Sequence, residues 1–368
     1  MAAMSGTVTR EKTADALVGR LFEATLGMMD IMSVHVGDRL GLYRALRDGG
    51  PATTTELAAR AGIDERYARE WLEQQAVTGI LDVAEASAPA ERRRYSLPDA
   101  YVEPLLNPDS LLSIAPMGRS IVACAQVMPK LLEAYRTGGG VDWADYGPDM
   151  IEAQGDFNRP WLVNAFGSEI LPAIPEIHLR LTADPPARVA DIACGVGWAS
   201  IAIARTYPKV HVDGFDLDPS SIELAQANAE RAGVAERVTF AVRDAADPAA
   251  AGQYDVAVVI EAIHDLARPV EVLGAIRTML RPGGIALIAD EKTADAFNAP
   301  AGETERIYYG YSLFTCLPAA MTERPTAATG TVMRADTLRR YASEAGFSDL
   351  EQLDEPALDM LRFYRLTP

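Results

Sequence analysis

Apolar and polar positions follow two different patterns along the chain, and the change falls near residue 183. Before it, apolar residues recur at helical spacing from about Ala14 to Leu46, and again, with interruptions, through residues 100–180. After it, short apolar strands alternate with amphipathic helices. Strands and helices in alternation are typical of a doubly wound α/β sheet with parallel strands, so the second half of the chain predicts that fold.

The first half of the chain predicts a helix-turn-helix followed by a hairpin. Thr53–Thr55 can cap a short helix, Gly62 can end it, and Asp64 can cap a second helix. The stretch from Ile80 to Leu97 has the outline of a two-stranded wing. We therefore expect a mostly α-helical winged-helix domain ahead of the sheet.

Three regions are expected along the chain. Residues 1–110 would form the helical and winged-helix domain, and residues 184–368 a Rossmann-like domain. Between them, residues 111–183 would be a helical connector that contributes to a substrate pocket. Its helices are expected to break at the glycines 138–140 and at four prolines, which are Pro148, Pro160, Pro172 and Pro175.

Composition and charge narrow the choice of partners. The 368 residues include 52 acidic and 34 basic side chains, and the formal net charge of −18 repels nucleic-acid phosphates and anionic lipids. The three cysteines lack disulfide or metal-ligand spacing, so we expect no metal. No stretch reaches the roughly 20 apolar residues of a membrane span, and no secretion signal is apparent. We expect a cytoplasmic protein that binds neither nucleic acid nor a membrane.

A glycine-rich turn follows the first predicted strand, in the sequence DIACGVGWAS that begins at Asp191. Gly195 and Gly197 would let the backbone approach a ligand, and the helix that follows offers free N–H groups to a carboxylate. Ser200 stands where a third glycine would complete the dinucleotide fingerprint. The turn therefore predicts a ligand without a pyrophosphate.

Acidic residues follow the next strands at their carboxyl ends. Asp216, 25 residues after Asp191, can accept hydrogen bonds from both hydroxyls of a ribose. Asp244, followed by Ala245, can receive an adenine amino group, and Glu261 comes after the fourth strand. Ligands of open α/β sheets bind at this edge, so the four carboxylates together predict an adenosyl ligand.

The motifs resemble those of class I S-adenosylmethionine-dependent methyltransferases. DIACGVG is similar to their first motif, with Ala193 in place of a common glycine, and GFD, RDAAD and LRPGG are similar to later ones. The resemblance implies S-adenosylmethionine as the cofactor and Glu261 beside its sulfonium end. It places ten residues at the cofactor, namely Asp191, Ala193, Cys194, Gly195, Gly197, Asp216, Leu217, Asp244, Ala245 and Glu261.

The order of the domains is also informative. A winged helix ahead of such a core is similar to small-molecule O-methyltransferases, and EAIHDLARP, CLPA and ATGTVMR are similar to a bacterial subgroup of them. The resemblance implies a small-molecule acceptor and a homodimer formed through the N-terminal helices.

Methyl transfer to oxygen requires an aligned acceptor and often a base. His264 is the candidate base, because it follows the fourth strand near the methyl end, and Asp265 could orient its ring. Asp265 could instead cap the next helix, leaving His264 a packing residue. Asp290 and Glu291 end the fifth strand, where Glu291 is a third catalytic candidate or a solvated strand end.

Aromatic residues in two segments could line an apolar acceptor pocket or could belong to the core. The candidates for substrate binding are Phe157, Asn158, Trp161, Tyr308, Tyr311 and Phe314.

Other functions stay open at this point. Methylation of carbon or nitrogen, or a non-methylating reaction with the same cofactor, fits the same residues. A DNA-binding regulator that senses a ligand is an alternative outside enzymes, supported by Arg60, Arg66 and Arg69 but opposed by the acidity of the chain. An NAD-linked reductase is disfavoured by Ser200.

Overall fold

The computed structural model describes residues 12–247, 251–354 and 358–368. It divides into two compact units, of which the first ends at Val122 and the second runs from Ala123 to Pro368. Among the described residues, no helix has both the length and the apolar character needed to cross a bilayer.

The first unit is the predicted winged helix. Its elements are α1 (Ala14–Arg39), α2 (Leu42–Gly49), α3 (Thr54–Ala61), α4 (Glu65–Val77), β1 (Asp82–Ala84), β2 (Arg94–Ser96), α5 (Val102–Leu106) and the start of α6 (Pro116–Gln126). Thr53 and Glu56 form a reciprocal capping box at α3, and Gly62 ends that helix with a left-handed φ of 67°. Asp64 caps α4, and β1 pairs antiparallel with β2 as the wing.

The long apolar stretch at the start of the chain is divided at Gly41. This glycine has a left-handed φ of 64°, so α1 ends and α2 begins at a sharp turn. Leu42 and Tyr43 of α2 are buried, whereas much of the apolar surface of α1 is exposed.

The second unit begins with helices and continues as the α/β sheet. Its helices are α7 (Met128–Thr137), α8 (Gly147–Trp161), α9 (Pro175–Leu181), α10 (Trp198–Thr206), α11 (Pro219–Ala232), α12 (Pro269–Met279), α13 (Glu303–Tyr311), α14 (Leu317–Ala320) and α15 (Ala335–Glu344). Its strands are β3 (Arg188–Ile192), β4 (His211–Asp216), β5 (Val238–Val242), β6 (Tyr254–Ile260), β7 (Leu280–Glu291), β8 (Asp349–Leu353) and β9 (Leu361–Thr367).

In the part of the chain that the structure describes, these strands form one seven-stranded sheet in the order β5-β4-β3-β6-β7-β9-β8. Strands β3 to β7 are parallel, as the alternating pattern predicts. The sheet is nevertheless mixed, because β9 runs antiparallel to both β7 and β8. The connection from β8 to β9 is only seven residues long, too short for the crossover that a parallel pair requires.

Both faces of the sheet are buried under helices. Val189, Val258 and Leu287 face one apolar cluster, which includes residues of α10. Ala190 and Ile288 face the other, with residues of α12 and α15. Successive side chains of a strand point to opposite faces, so strands covered on both sides are apolar throughout. The polar residues at their carboxyl ends are therefore left at the open edge.

The break expected at Pro160 does not occur. Pro160 lies inside α8, and a π-helical segment, Leu162–Ile170, continues directly from it. The carbonyl of Pro160 accepts a hydrogen bond from Asn164 Nδ2 (2.7 Å). A proline leaves the carbonyl four residues before it without its helical partner, and the wider π turn that follows Pro160 lets the chain remain helical. In contrast, α7 does end at Gly138, with a φ of 73°.

Candidate active site

A cavity of about 490 Å³ opens at the carboxyl ends of β3, β4 and β6, within the second unit. Its wall comprises the loop after β3, the end of β4, the turn after β6, one face of α8 and the segment after α14. Residues that line it include Trp143, Ile151, Gln154, Gly155, Asn158, Asp191, Ala193, Cys194, Gly195, Gly197, Asp216, Leu217, Arg243, Ala245, Glu261, Asp265, Ala319, Thr322 and Glu323.

The glycine-rich turn between β3 and α10 has three left-handed residues: Ala193 (φ 55°), Gly195 (φ 51°) and Gly197 (φ 84°). A Cβ at Gly195 would meet nothing within 4 Å, so this backbone lies open to the cavity. A Cβ at Gly197 would lie 2.6 Å from the ring of Phe240. Ala193 keeps a left-handed φ with a side chain, which costs about 1–2 kcal/mol. The turn is shaped for close approach of a ligand.

Asp191 is a buried anchor beneath this turn. Asp191 lines the cavity, although it is only 1% exposed to solvent. Its Oδ2 accepts hydrogen bonds from Ser200 N (3.1 Å) and Ser200 Oγ (2.6 Å). Burial raises the pKa of Asp191 to about 7, although both bonds from Ser200 oppose the rise. Ser200, which in the sequence signals only a missing glycine, thus connects α10 to β3.

Asp216 joins the turn to the next strand. Its Oδ2 accepts a hydrogen bond from Gly195 N (2.8 Å) and its Oδ1 from Asp218 N (2.9 Å). Burial raises the pKa of the Asp216 carboxyl against these backbone bonds. Leu217 beside it is 57% exposed on the cavity wall, where an apolar side chain can cover the flat face of a base.

Asp244 has a partner that the sequence did not suggest. Its Oδ2 accepts a hydrogen bond from Arg268 Nη2 (2.7 Å), and its Oδ1 from Ala246 N (2.8 Å). Burial works against ionisation, but these bonds together lower the pKa of Asp244. From this stretch of the chain, Arg243 and Ala245 form the cavity wall. The role of Asp244 at adenine stays a prediction.

Glu261 is held rigidly at the end of β6. Its backbone is left-handed (φ 49°), and its N–H donates to Ala289 O (2.7 Å). Its Oε2 accepts hydrogen bonds from Asn158 Nδ2 (3.0 Å) and Gln154 Nε2 (3.3 Å). Trp161 Nε1 donates to Asn158 Oδ1 (2.8 Å), which orients the amide. Burial raises the pKa of Glu261. Gln154 could have been found from its i, i+4 spacing to Asn158 on one helix face.

His264 lies among three carboxylates and is only 2% exposed. Its Nδ1 is hydrogen-bonded to Asp290 Oδ1 (2.8 Å) and lies 2.9 Å from Glu291 Oε2, while Nε2 lies 3.1 Å from Asp265 Oδ1. Burial lowers the pKa of His264, but the three carboxylates outweigh it and raise the pKa well above 6.5. Burial also raises the pKa of Glu291 well above its ordinary value. Of this group, Asp265 lines the cavity.

None of the five aromatic candidates is among the described residues that line the cavity. Phe157 and Tyr311 make an edge contact with ring centroids 6.4 Å apart. Trp161 packs against core rings, Tyr308 is buried and donates to Met360 O, and Phe314 packs on a cluster of α7 and α8. Of the six residues predicted to bind the substrate, Asn158 is the one among the cavity-lining residues.

Three comparisons with known proteins bear on this geometry. Residues 183–339 match the model of the Methyltransferase domain, and residues 24–105 match that of the Rv2258c-like winged HTH domain. The chain is 45% identical over 97 residues to ribosomal protein L11 methyltransferase of Dechloromonas aromatica, covering 26% of this chain and 29% of that protein. It is 34% identical over 116 residues to the O-methyltransferase rstn1 of Aspergillus nomiae, covering 31% and 51%. It thus spans about half or less of these relatives.

Among solved structures, human N-acetylserotonin methyltransferase in complex with SAM is similar in fold. The TM-score is 0.68 at 18% identity, over 98% of this chain and 99% of that one. The predicted fold and the two domain types are confirmed. Residues 183–339 therefore belong to the Methyltransferase domain family, and a winged-helix domain of the Rv2258c-like family precedes them in the chain.

Proposed function

We propose that this protein transfers a methyl group from S-adenosylmethionine to a hydroxyl of an apolar or aromatic small molecule. The observation that carries the proposal is the composition of the cavity wall. The same cavity is lined by an open glycine turn, by the carboxylates Asp216 and Glu261, and by apolar residues such as Trp143 and Ile151. It thus combines groups that suit an adenosyl ligand with apolar surface that suits an apolar acceptor.

The residues present fit the cofactor. The open space at Gly195 leaves room for close approach, and Asp216 and Leu217, which line the same cavity, would give a ribose an acceptor and an adenine ring an apolar cover. When bound, the cofactor supplies an activated methyl group. The protein supplies orientation and proton removal, which contribute most when the acceptor is aligned before reaction.

His264 remains our candidate base, with Asp265 and Glu291 as its neighbours. His264 Nε2 lies 3.1 Å from Asp265 Oδ1. To act as the base, Nε2 must leave this contact and form a hydrogen bond with the acceptor hydroxyl. Asp265 lines the cavity and His264 behind it is buried, so Asp265 must move aside for an acceptor to reach Nε2. Nδ1 would stay bonded to Asp290, which holds the ring while the imidazole is charged.

Methylation of carbon or nitrogen, and non-methylating use of the cofactor, remain alternatives that the mass of the product separates. The regulator alternative loses its support from the arginines. Arg66 pairs with Glu70, Arg69 with Glu91 (2.9 Å), and Arg60 donates to Gly50 O (2.7 Å). Side chains engaged in this way are less available to phosphates.

The proposed reaction predicts both cofactor binding and a product heavier by one methyl group. We expect isothermal titration to detect S-adenosylmethionine and its demethylated product at micromolar concentrations. A panel of hydroxylated aromatic compounds, incubated with methyl-deuterated cofactor, should yield a labelled ether by mass spectrometry. Binding of neither ligand at about 1 mM would refute the proposal. If the label were found on carbon or nitrogen, the cofactor assignment would stand, but the accepting atom would be carbon or nitrogen in place of oxygen.

We also propose that the protein forms a homodimer through its N-terminal helices. Helix α1 exposes a continuous apolar stripe, formed by Leu17, Val18, Leu21, Phe22, Leu26, Met28, Met29 and Met32. Exposed patches of this kind mark association surfaces on soluble domains.

Substituting Leu21→Glu should therefore convert the dimer to a monomer. Thermal melting should show that this monomer is still folded. Light scattering coupled to size exclusion measures the mass directly. Arg20→Glu is the matched control, since at 100° per residue it lies on the opposite side of α1 from the stripe. A monomeric wild type, or equal dissociation by both variants, would contradict the proposal.

A further inference from the structure

The order of strands fixes where Glu261 lies along the cavity. Ala245 follows β5, Asp216 ends β4, the glycine turn follows β3, and Glu261 follows β6. These strands are neighbours in that same order. Glu261 is thus at the opposite end from the position proposed for adenine. On the proposed function, that end holds the sulfur and its methyl group.

Glu261 is built into this position at a cost in backbone energy. A left-handed φ of 49° in a residue with a long side chain is unfavourable, and it persists only where the surroundings enforce it. Here the enforcing contacts are the bond to Ala289 and the amides of Gln154 and Asn158, the latter oriented by Trp161. Neutral amides fix the carboxyl group without neutralising its charge.

The charges around Glu261 are predominantly negative. The following turn contributes His264 and Asp265, β7 contributes Asp290 and Glu291, α13 contributes Tyr308, and α8 contributes the two neutral amides. One imidazole therefore faces four carboxyl groups in a region with little solvent. An additional positive charge in the cavity would be stabilised, and burial favours protonation of Glu261 when that charge is missing.

We propose that Glu261 senses the charge on the cofactor sulfur, and so makes the protein prefer S-adenosylmethionine over its demethylated product. Binding of the sulfonium form favours the ionised form of Glu261, so that a carboxylate lies beside the cation and protons leave this group of buried acids. The neutral thioether of the product does not stabilise the ionised form of Glu261, so its binding releases no proton. The preference favours product release after transfer. This inference rests on the cofactor assignment in the proposed function.

The sign of the pH dependence follows from this proton release. Affinity for S-adenosylmethionine should rise with pH, by up to about ten-fold per unit, until Glu261 is ionised in the free protein. Affinity for the demethylated product should change much less over the same range. The α-ammonium and carboxylate groups are common to both ligands, so their titration cancels in the ratio of the two dissociation constants.

Isothermal titration of both ligands from about pH 5 to about pH 9, in two buffers of different ionisation enthalpy, tests the proposal. In the wild type we expect proton release with S-adenosylmethionine alone and an affinity ratio that rises with pH. Glu261→Gln should flatten the ratio and lower the preference for the sulfonium form by about ten-fold or more. Glu344→Gln, at a glutamate on α15 that pairs with Arg340 and is not among the residues that line the cavity, is the matched control and should behave as wild type.

The outcomes are distinguishable. Equal loss of both ligands in Glu261→Gln, or equal proton release with both in the wild type, would overturn the charge-sensing role but leave the cofactor assignment standing. Failure of both ligands to bind the wild type would instead refute the proposed function. The wild-type measurements need no variant, so they decide the matter even if Glu261→Gln does not fold.

Discussion

Asp216→Asn is expected to weaken S-adenosylmethionine binding by about 100-fold or more. The carboxylate is proposed to accept both ribose hydroxyls, and hydrogen bonds to a charged group contribute about 1.5–3 kcal/mol each. An amide offers one acceptor in place of two. It also turns an N–H donor toward either Gly195 N or Asp218 N, both of which now donate to this side chain. Isothermal titration measures the loss.

The demethylated product should lose affinity to the same extent, because it carries the same ribose. Asp336→Asn is a suitable control, since this aspartate is an exposed residue on α15 paired with Arg339. Thermal melting of both variants separates a binding defect from an unfolded turn. A loss of less than about three-fold in a folded Asp216→Asn protein would remove Asp216 from the ribose role.

His264→Gln is expected to keep cofactor affinity and to lose turnover by about 100-fold to 10,000-fold, the usual contribution of a general base. The base must be neutral to accept a proton, and the surrounding carboxylates raise the pKa of His264 well above 6.5. The rate should therefore be low below that pKa and rise as pH increases through it. The steady-state rate of the wild type against pH measures this alkaline limb.

Removing the imidazole leaves Asp265, Asp290 and Glu291 without their shared cation, so the variant should also be less stable. Breaking a buried ion pair by removing one partner costs about 3–5 kcal/mol. Turnover must therefore be measured below the melting temperature of the variant, with cofactor binding as the check on folding. Unchanged turnover, or a wild-type rate that is already maximal well below pH 6.5, would exclude His264 as the base.

Local sequence patterns were sufficient for the elements of the sheet and for the caps. Helices α3 and α4 have the caps expected at Thr53 and Asp64, and β4 ends at Asp216 as expected, because capping and apolar runs act over a few positions. The same reasoning failed at Pro160, where a π-helical segment lets the helix continue. It also missed the antiparallel β9, whose pairing depends on contacts remote in sequence.

The candidate site shows the same division. Asp191, Asp216 and Glu261 were found because each follows a strand, and parallel strands bring their carboxyl ends to one edge. The hydrogen-bond and ion-pair partners of the candidate carboxylates could not be predicted from the sequence. Ser200 bonds to Asp191, Arg268 pairs with Asp244, and Gln154 reaches Glu261 across 107 positions.

The sequence by itself determined the doubly wound core, the winged helix and the carboxylates at the carboxyl edge of the sheet, because periodicity, capping and strand ends are local properties. Only the tertiary structure decided how those residues are charged. Burial, together with Asp290 and Asp265, raises the pKa of Glu261. Burial lowers the pKa of His264, but Asp265, Glu291 and Asp290 raise it well above 6.5. Such electrostatic effects depend on distance and solvent exclusion in three dimensions, which the order of residues does not specify.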